Sequence, residues 1–209
     1  MQYVVVDRVF LATYDLRRSE GALSGELKLK KTVLDAEEMR RIIRRMAGEI
    51  LEQNGATDEI VLVGIRTRGV PLAVRLAQEL ERLGGGEIPI GTLDITLYRD
   101  DLSTIGPQPV LKETSLPGPI DGRVLVLCDD VLFTGRTVRA ALNELIDYGR
   151  PEAVQLAVLV DRGGRELPIQ ADYVGRSVHA EEGELIEVRF EGTDNEDRVT
   201  LMEIVNGDG

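Results

Sequence analysis

Asp129 and Asp130 stand side by side in the stretch VLVLCDDVLFTGRT, Val124–Thr137, and after Val131, Leu132 and Phe133 come Thr134, Gly135, Arg136 and Thr137. Adjacent carboxylates accept hydrogen bonds from sugar hydroxyls or help to hold a hard cation. They would repel a phosphate, but the Thr-Gly-Arg-Thr turn has the complementary chemistry. Where such a turn opens a helix, it offers unpaired backbone N–H groups, two hydroxyls and the positive end of the helix to an anion. The two halves together suit a sugar phosphate. The plainer alternative is a solvated acidic pair followed by a helix N-cap.

The elements around these residues favour a site. VLVLC reads as a short buried strand, and Val138, Ala141, Leu142, Leu145 and Ile146 recur at helical spacing. The polar residues therefore lie at the carboxyl end of a strand, where open α/β sheets bind ligands. A second segment has the same placement: GIRTRG, Gly64–Gly69, follows the apolar run IVLVG and precedes a Leu/Ala/Val-rich helix with Pro71 near its start. Its glycines allow close backbone approach, and Arg66 and Arg68 bring charge to an anionic leaving group. An ordinary strand-to-helix turn with exposed arginines is the competing reading. A third segment, DITLYRDD, Asp94–Asp101, leads into a polar stretch rich in Pro and Gly that reads as a loop reaching Asp121. A covering loop there would exclude water, with Arg99 reaching the leaving group; otherwise Asp94–Tyr98 is a plain strand and Arg99–Asp101 a solvated turn.

The remaining chain sets the frame. Its 209 residues suffice for one well-buried domain with an appendage. Near-continuous apolar strands alternating with helices predict an α/β fold with a mainly parallel central sheet flanked by helices. Two β-like stretches, VVVDRVFL and LSGELKLKK, suggest an N-terminal extension over residues 1–31, arranged as a hairpin before a main domain over 32–209. Met39, Ile42, Ile43, Met46, Ala47 and Ile50 form a helical stripe behind a capping box of Asp35 and Glu38. The strand region IPIGTLDITLY lies mid-chain, and ELIEVRF and RVTLMEI read as late strands separated by an acidic turn. The N-terminus has no basic n-region or small-residue cleavage site, and no apolar run is long enough for a bilayer, so a cytoplasmic location is expected. Cys128 is the only cysteine and is expected to pack inertly. A net charge of −12 excludes a protein that coats nucleic acid indiscriminately.

An apolar strand, two acidic residues, three spacers and Thr-Gly-X-Thr resemble the signature of type I phosphoribosyltransferases. That resemblance implies that Asp129 and Asp130 contact the ribose hydroxyls of 5-phosphoribosyl 1-diphosphate (PRPP). The segment Val131, Leu132, Phe133, Thr134, Gly135, Arg136 and Thr137 would then hold the 5′-phosphate, and Arg66, Thr67, Arg68 and Gly69 the diphosphate. Mg²⁺ is implied as cofactor, reaching Asp129 and Asp130 indirectly through PRPP and water. VGIRTRG, DITLYRDDL, VLVLCDDVLFTGRTVRAAL and GRPEAVQLAVLVDRGGRELPIQADYVGR, in this order over about Val33–Val205, narrow the resemblance to the PyrR family of pyrimidine-operon attenuation regulators with uracil phosphoribosyltransferase activity. This implies the type I phosphoribosyltransferase fold, conversion of PRPP and uracil to UMP and diphosphate, and a hood over about 161–180 in which Asp161 and Arg162 contribute to the base site.

The same resemblance implies a homodimer or homotetramer and a UMP-responsive pyrimidine-leader RNA as partner. Arg40, Arg41, Arg44 and Arg45 form a basic stripe opposite the apolar face of the first helix and are the RNA candidates. Their alternative partners are the chain's own acidic groups. The chain departs from the family pattern at Gly48, Gly164 and Gln170, where relatives commonly carry His, His and Arg.

Overall fold

The computed structural model describes residues 25–55, 59–84, 86–98 and 113–206. Five strands form a parallel sheet in the order β3-β2-β4-β5-β6: β2 (Ile60–Ile65), β3 (Ile90–Leu93), β4 (Val124–Leu132), β5 (Ala153–Asp161) and β6 (Tyr173–Ser177). Every residue of β2 is buried, as a strand covered on both faces requires. Helices α1 (Ala36–Asn54) and α2 (Gly69–Arg82) share a core with Ile60, Leu62, Val126 and Cys128, while α3 (Arg136–Ile146) packs with Val61, Val63, Leu125 and Leu127. Alternate strand residues thus serve opposite layers.

A second, antiparallel sheet orders β1 (Gly25–Leu34), β8 (Arg198–Asn206) and β7 (Glu184–Arg189), with the short α4 (Glu191–Asp194) between β7 and β8. Leu34, Val188, Val199 and Leu201 join it to the core under α1 and α2. LSGELKLKK contributes to β1, whose partner is β8; VVVDRVFL and any hairpin it would make lie outside the described residues. The two late strands are β7 and β8.

The expected capping box is present: Asp35 accepts from the Glu38 N–H at 2.8 Å and its own N–H donates to Glu38 at 3.0 Å. The stripe Met39–Ile50 is the buried face of α1. The strand expected through IPIGTLDITLY is shorter than the sequence pattern suggests. It ends at Leu93, because Asp94 accepts from the Thr96 N–H at 3.1 Å and turns Ile95–Tyr98 into a single 3₁₀ turn. Among the described residues no helix is long and apolar enough to cross a membrane.

Candidate functional site

The two loops singled out in the sequence meet at the carboxyl ends of β2 and β4, which pair in parallel with Gly64 opposite Cys128. Their closeness depends on glycine. A Cβ on Gly64 would lie 2.5 Å from the Val70 Cα, and one on Gly69 would lie 2.2 Å from the Cys128 carbonyl oxygen. No other residue lets α2 begin so near β4. The Arg66–Thr67 peptide between these glycines is cis.

Asp129 and Asp130 belong to β4 itself, and neither is a loop residue. Asp129 is 7% exposed, and one of its oxygens accepts from the Asp130 N–H at 3.0 Å. Burial raises both carboxyls above their ordinary range; the neighbouring Asp130 charge pushes Asp129 further, while Arg68 pulls Asp130 back. Two carboxylates held close together, that of Asp129 buried and that of Asp130 half-buried, are poised to accept hydroxyl donors or to sit near cationic charge. Among the described residues no cluster of three or more His, Cys, Asp or Glu could hold an ion alone. The adjacent oxygen donors of Asp129 and Asp130 suit a hard cation that takes its other ligands from elsewhere.

Gly135, at φ 91°, is the N-cap of α3, and a Cβ there would lie within 3.4 Å of Leu167 and Ile169. Thr134 is buried, and its hydroxyl accepts from the Arg136 N–H at 3.3 Å, so it shapes the turn. Its carbonyl accepts from Glu166 and Leu167 N–H groups at 3.0 and 3.1 Å. Thr137 is half-buried, and Arg136 is exposed with its guanidinium 2.7 Å from Glu166.

The hood residues lock onto this turn. Arg162 is buried with its guanidinium 4.0 Å from the Phe133 ring centre, and it donates to the Glu184 carbonyl at 3.2 Å. Asp161 accepts from the Gly163 N–H at 2.9 Å and pairs with Arg165. Arg165, which lies in the quoted hood string without a role assigned to it, donates to the carbonyls of Phe133 at 2.9 Å and Ile169 at 3.0 Å. Gly164, at φ 74°, lies against Phe133: a Cβ there would fall 2.5 Å from the ring.

Arg66 donates to the Thr92 hydroxyl at 3.0 Å and the Glu113 carbonyl at 3.3 Å. Arg68 pairs with Asp194 of α4 at 2.8 Å. Arg99 lies outside the described residues. The four arginines of α1 are not brought into this site. Arg40 is exposed with its Nε 3.3 Å from the Ala36 carbonyl, Arg41 pairs with Glu37, and Arg44 reaches Glu79 at 3.3 Å. Arg45 pairs with Glu49 and donates to the carbonyls of Val174 and Gly175 at 2.9 and 2.6 Å.

A parallel sheet carrying an acidic pair and a glycine-opened helix on one strand, with a second glycine-bounded loop beside it, is the arrangement of a phosphoribosyltransferase. The family described as phosphoribosyl transferase domain matches residues 30–190. Solved structures agree on the fold. The hypoxanthine phosphoribosyltransferase of Trypanosoma cruzi superposes with a TM-score of 0.65 at 18% identity, covering 84% of this chain and 98% of that one. A hypoxanthine-guanine phosphoribosyltransferase from Bacillus anthracis gives 0.64 at 18% identity, covering 85% and 99%. Sequence comparison narrows the class. The bifunctional protein PyrR of Thermus thermophilus is 53% identical over 177 residues, 85% of this chain and 98% of its own. That of Chloroflexus aurantiacus is 54% identical over 173 residues, 83% and 95%. The chain belongs to the PyrR family.

Proposed function

We propose that this carboxyl edge binds Mg²⁺ and PRPP and transfers its ribosyl phosphate to uracil, the phosphoribosyltransferase activity of the PyrR family. The observation that carries the reading is the adjacent pair of buried Asp129 and half-buried Asp130 directly before the glycine-opened N-terminus of α3. The 5′-phosphate lies on the turn 131–137, where backbone N–H groups and the helix end favour an anion. The ribose hydroxyls donate to Asp129 and Asp130, and the diphosphate lies along Gly64–Gly69. Uracil takes the space beneath the hood, bounded by the Asp161–Arg165 turn.

In the transfer the bond from ribose C1′ to the diphosphate oxygen breaks with its electrons on the diphosphate. A bond from C1′ to uracil N1 forms, and the N1 proton is released. Asp129 and Asp130 would hold Mg²⁺ indirectly, through PRPP and water, and the ion would supply charge neutralisation of the leaving group. Arg66 and Arg68 add fixed positive charge beside that group, and the acidic pair orients the sugar. No side chain is needed as a nucleophile. The family's protein would act in the cytoplasm as a homodimer or homotetramer. UMP formation from PRPP, Mg²⁺ and uracil, compared with other bases, tests the reading; a folded protein that forms no UMP refutes it.

A second role, binding pyrimidine-leader RNA when UMP is present, is supported by the exposed Arg40, Arg41 and Arg44 on α1. Filter binding to leader RNA with and without UMP tests it.

A further inference from the structure

The guanidinium of Arg68, at the N-cap of α2, serves two carboxylates from distant parts of the chain. Its Nε and Nη2 donate to the two oxygens of Asp194 at 3.3 and 2.8 Å, a side-on pair, and its charge acts on Asp130 of β4. Asp194 is itself fixed: one of its oxygens accepts from the Phe190 N–H at 3.0 Å, and its own N–H donates to the Phe190 carbonyl at 2.6 Å. The same turn grips α2 again two helical turns on. Arg75 donates to both oxygens of Asp197 at 2.8 and 2.6 Å and lies 5.1 Å from the Phe190 ring centre. Asp197 also accepts from the Glu191 N–H at 2.9 Å. Residues seven apart share one helix face, so the segment Phe190–Asp197 holds a single face of α2 against the antiparallel sheet.

We propose that Asp194 is a positioning residue for the transfer, acting through Arg68: it holds the guanidinium beside Asp130 in the orientation that receives the diphosphate of PRPP. The proposal rests on the reading of Gly64–Gly69 as the diphosphate loop. Its physical basis is entropy. A free arginine loses its side-chain rotamer freedom when it is immobilised. A carboxylate that already holds one edge of the planar five-donor fork meets that cost in folding, before substrate arrives. The antiparallel sheet thereby takes part in catalysis from outside the catalytic edge, through one ion pair.

The test is a double-mutant cycle of Asp194→Asn and Arg68→Met in the full-length protein, with KM for PRPP and for uracil measured separately and Mg²⁺–PRPP affinity measured by calorimetry. Asn keeps the size of Asp194 and its acceptor for the Phe190 N–H, so the fold is retained. Asp194→Asn is expected to weaken PRPP about tenfold while changing KM for uracil less than about twofold, and to add nothing in the Arg68→Met background. Arg68→Lys, which keeps the charge but cannot form the side-on pair, should reproduce the PRPP defect with Asp194 in place. Equal losses in the wild-type and Arg68→Met backgrounds would overturn the proposal. So would tighter PRPP binding in Asp194→Asn, which would make Asp194 a competitor of the diphosphate. The calorimetric cycle decides this question even if the base that accepts the ribose proves not to be uracil.

Discussion

Gly69 approaches β4 so closely that a Cβ would lie 2.2 Å from the carbonyl oxygen of Cys128. The loop Gly64–Gly69 and the acidic pair are therefore spaced by a backbone contact, and a backbone cannot swing aside as a flexible side chain can. Gly69→Ala must push α2 away from β4. It is expected to cost on the order of 3 kcal/mol in stability and to abolish measurable PRPP turnover. Thermal unfolding and a UMP-formation assay check this; an active variant with an unchanged melting temperature would show that the two elements can separate without harm.

In the proposed site Asp129 and Asp130 hold charge at a cost to stability. Burial raises both carboxyls, and mutual repulsion raises Asp129 further. For a carboxyl raised on folding, the folded state holds its proton more tightly than the unfolded one. The favourable contribution is complete below the ordinary carboxylate value and is lost as pH rises through the folded value. The melting temperature of Asp129→Asn relative to the wild type should therefore rise with pH above about 4. Transfer should fall by on the order of a hundredfold, because a neutral amide replaces one charged acceptor at the sugar. Melting curves between pH 4 and 8, alongside kcat/KM for PRPP, measure both. Asp197, lowered by its hydrogen bonds from Arg75 against the opposing effect of burial, acts in the reverse sense: its contribution is present at neutral pH and lost as the solution is acidified.

Arg165 ties the segment 161–169 to the turn that opens α3 through the carbonyls of Phe133 and Ile169 and the carboxylate of Asp161. Arg165→Met removes these hydrogen bonds and the ion pair with Asp161, at a cost of about 2 kcal/mol. It also frees the hood to move relative to Thr134. We expect KM to rise for both PRPP and uracil, in contrast to Asp194→Asn, where only PRPP suffers. Steady-state kinetics with each substrate varied in turn separates the two patterns.

How far the sequence discloses this arrangement depends on the range of each interaction. β2 and β4 are readable because strands buried on both faces become continuous apolar runs, and the start of α1 is readable because Asp35 and Glu38 cap it within three residues. Gly64, Gly69 and Gly135 draw attention by residue type. Arg165 and Asp194 do not. Arg165 acts on backbone carbonyls, which leave no residue signature, and Asp194 meets Arg68 across 126 positions. The short β3 is concealed by apolar residues that continue into the 3₁₀ turn, where the Asp94 side chain stops the strand. The α1 stripe misleads in another way: its spacing marks a cationic face but cannot show that the carbonyls of Val174 and Gly175 lie against one member of it.

The four arginines of α1 should consequently separate in their behaviour. Arg45 donates to two carbonyls of β6, an edge strand of the parallel sheet, so Arg45→Ala removes packing between α1 and β6. It should cost about 1 kcal/mol, reduced by its partial exposure. Arg41 is 62% exposed and pairs with Glu37 one turn away, a surface pair worth less than about 0.5 kcal/mol. Arg40→Ala, Arg41→Ala and Arg44→Ala should therefore leave both melting temperature and uracil phosphoribosyltransferase kinetics unchanged. If leader RNA binds this face, the same three substitutions must weaken it and reduce the slope of log affinity against log salt by about one for each RNA phosphate that is no longer neutralised. Undiminished RNA binding in the triple variant would move the RNA surface away from α1, and a defect confined to Arg45→Ala would mean that folding, not RNA recognition, is impaired.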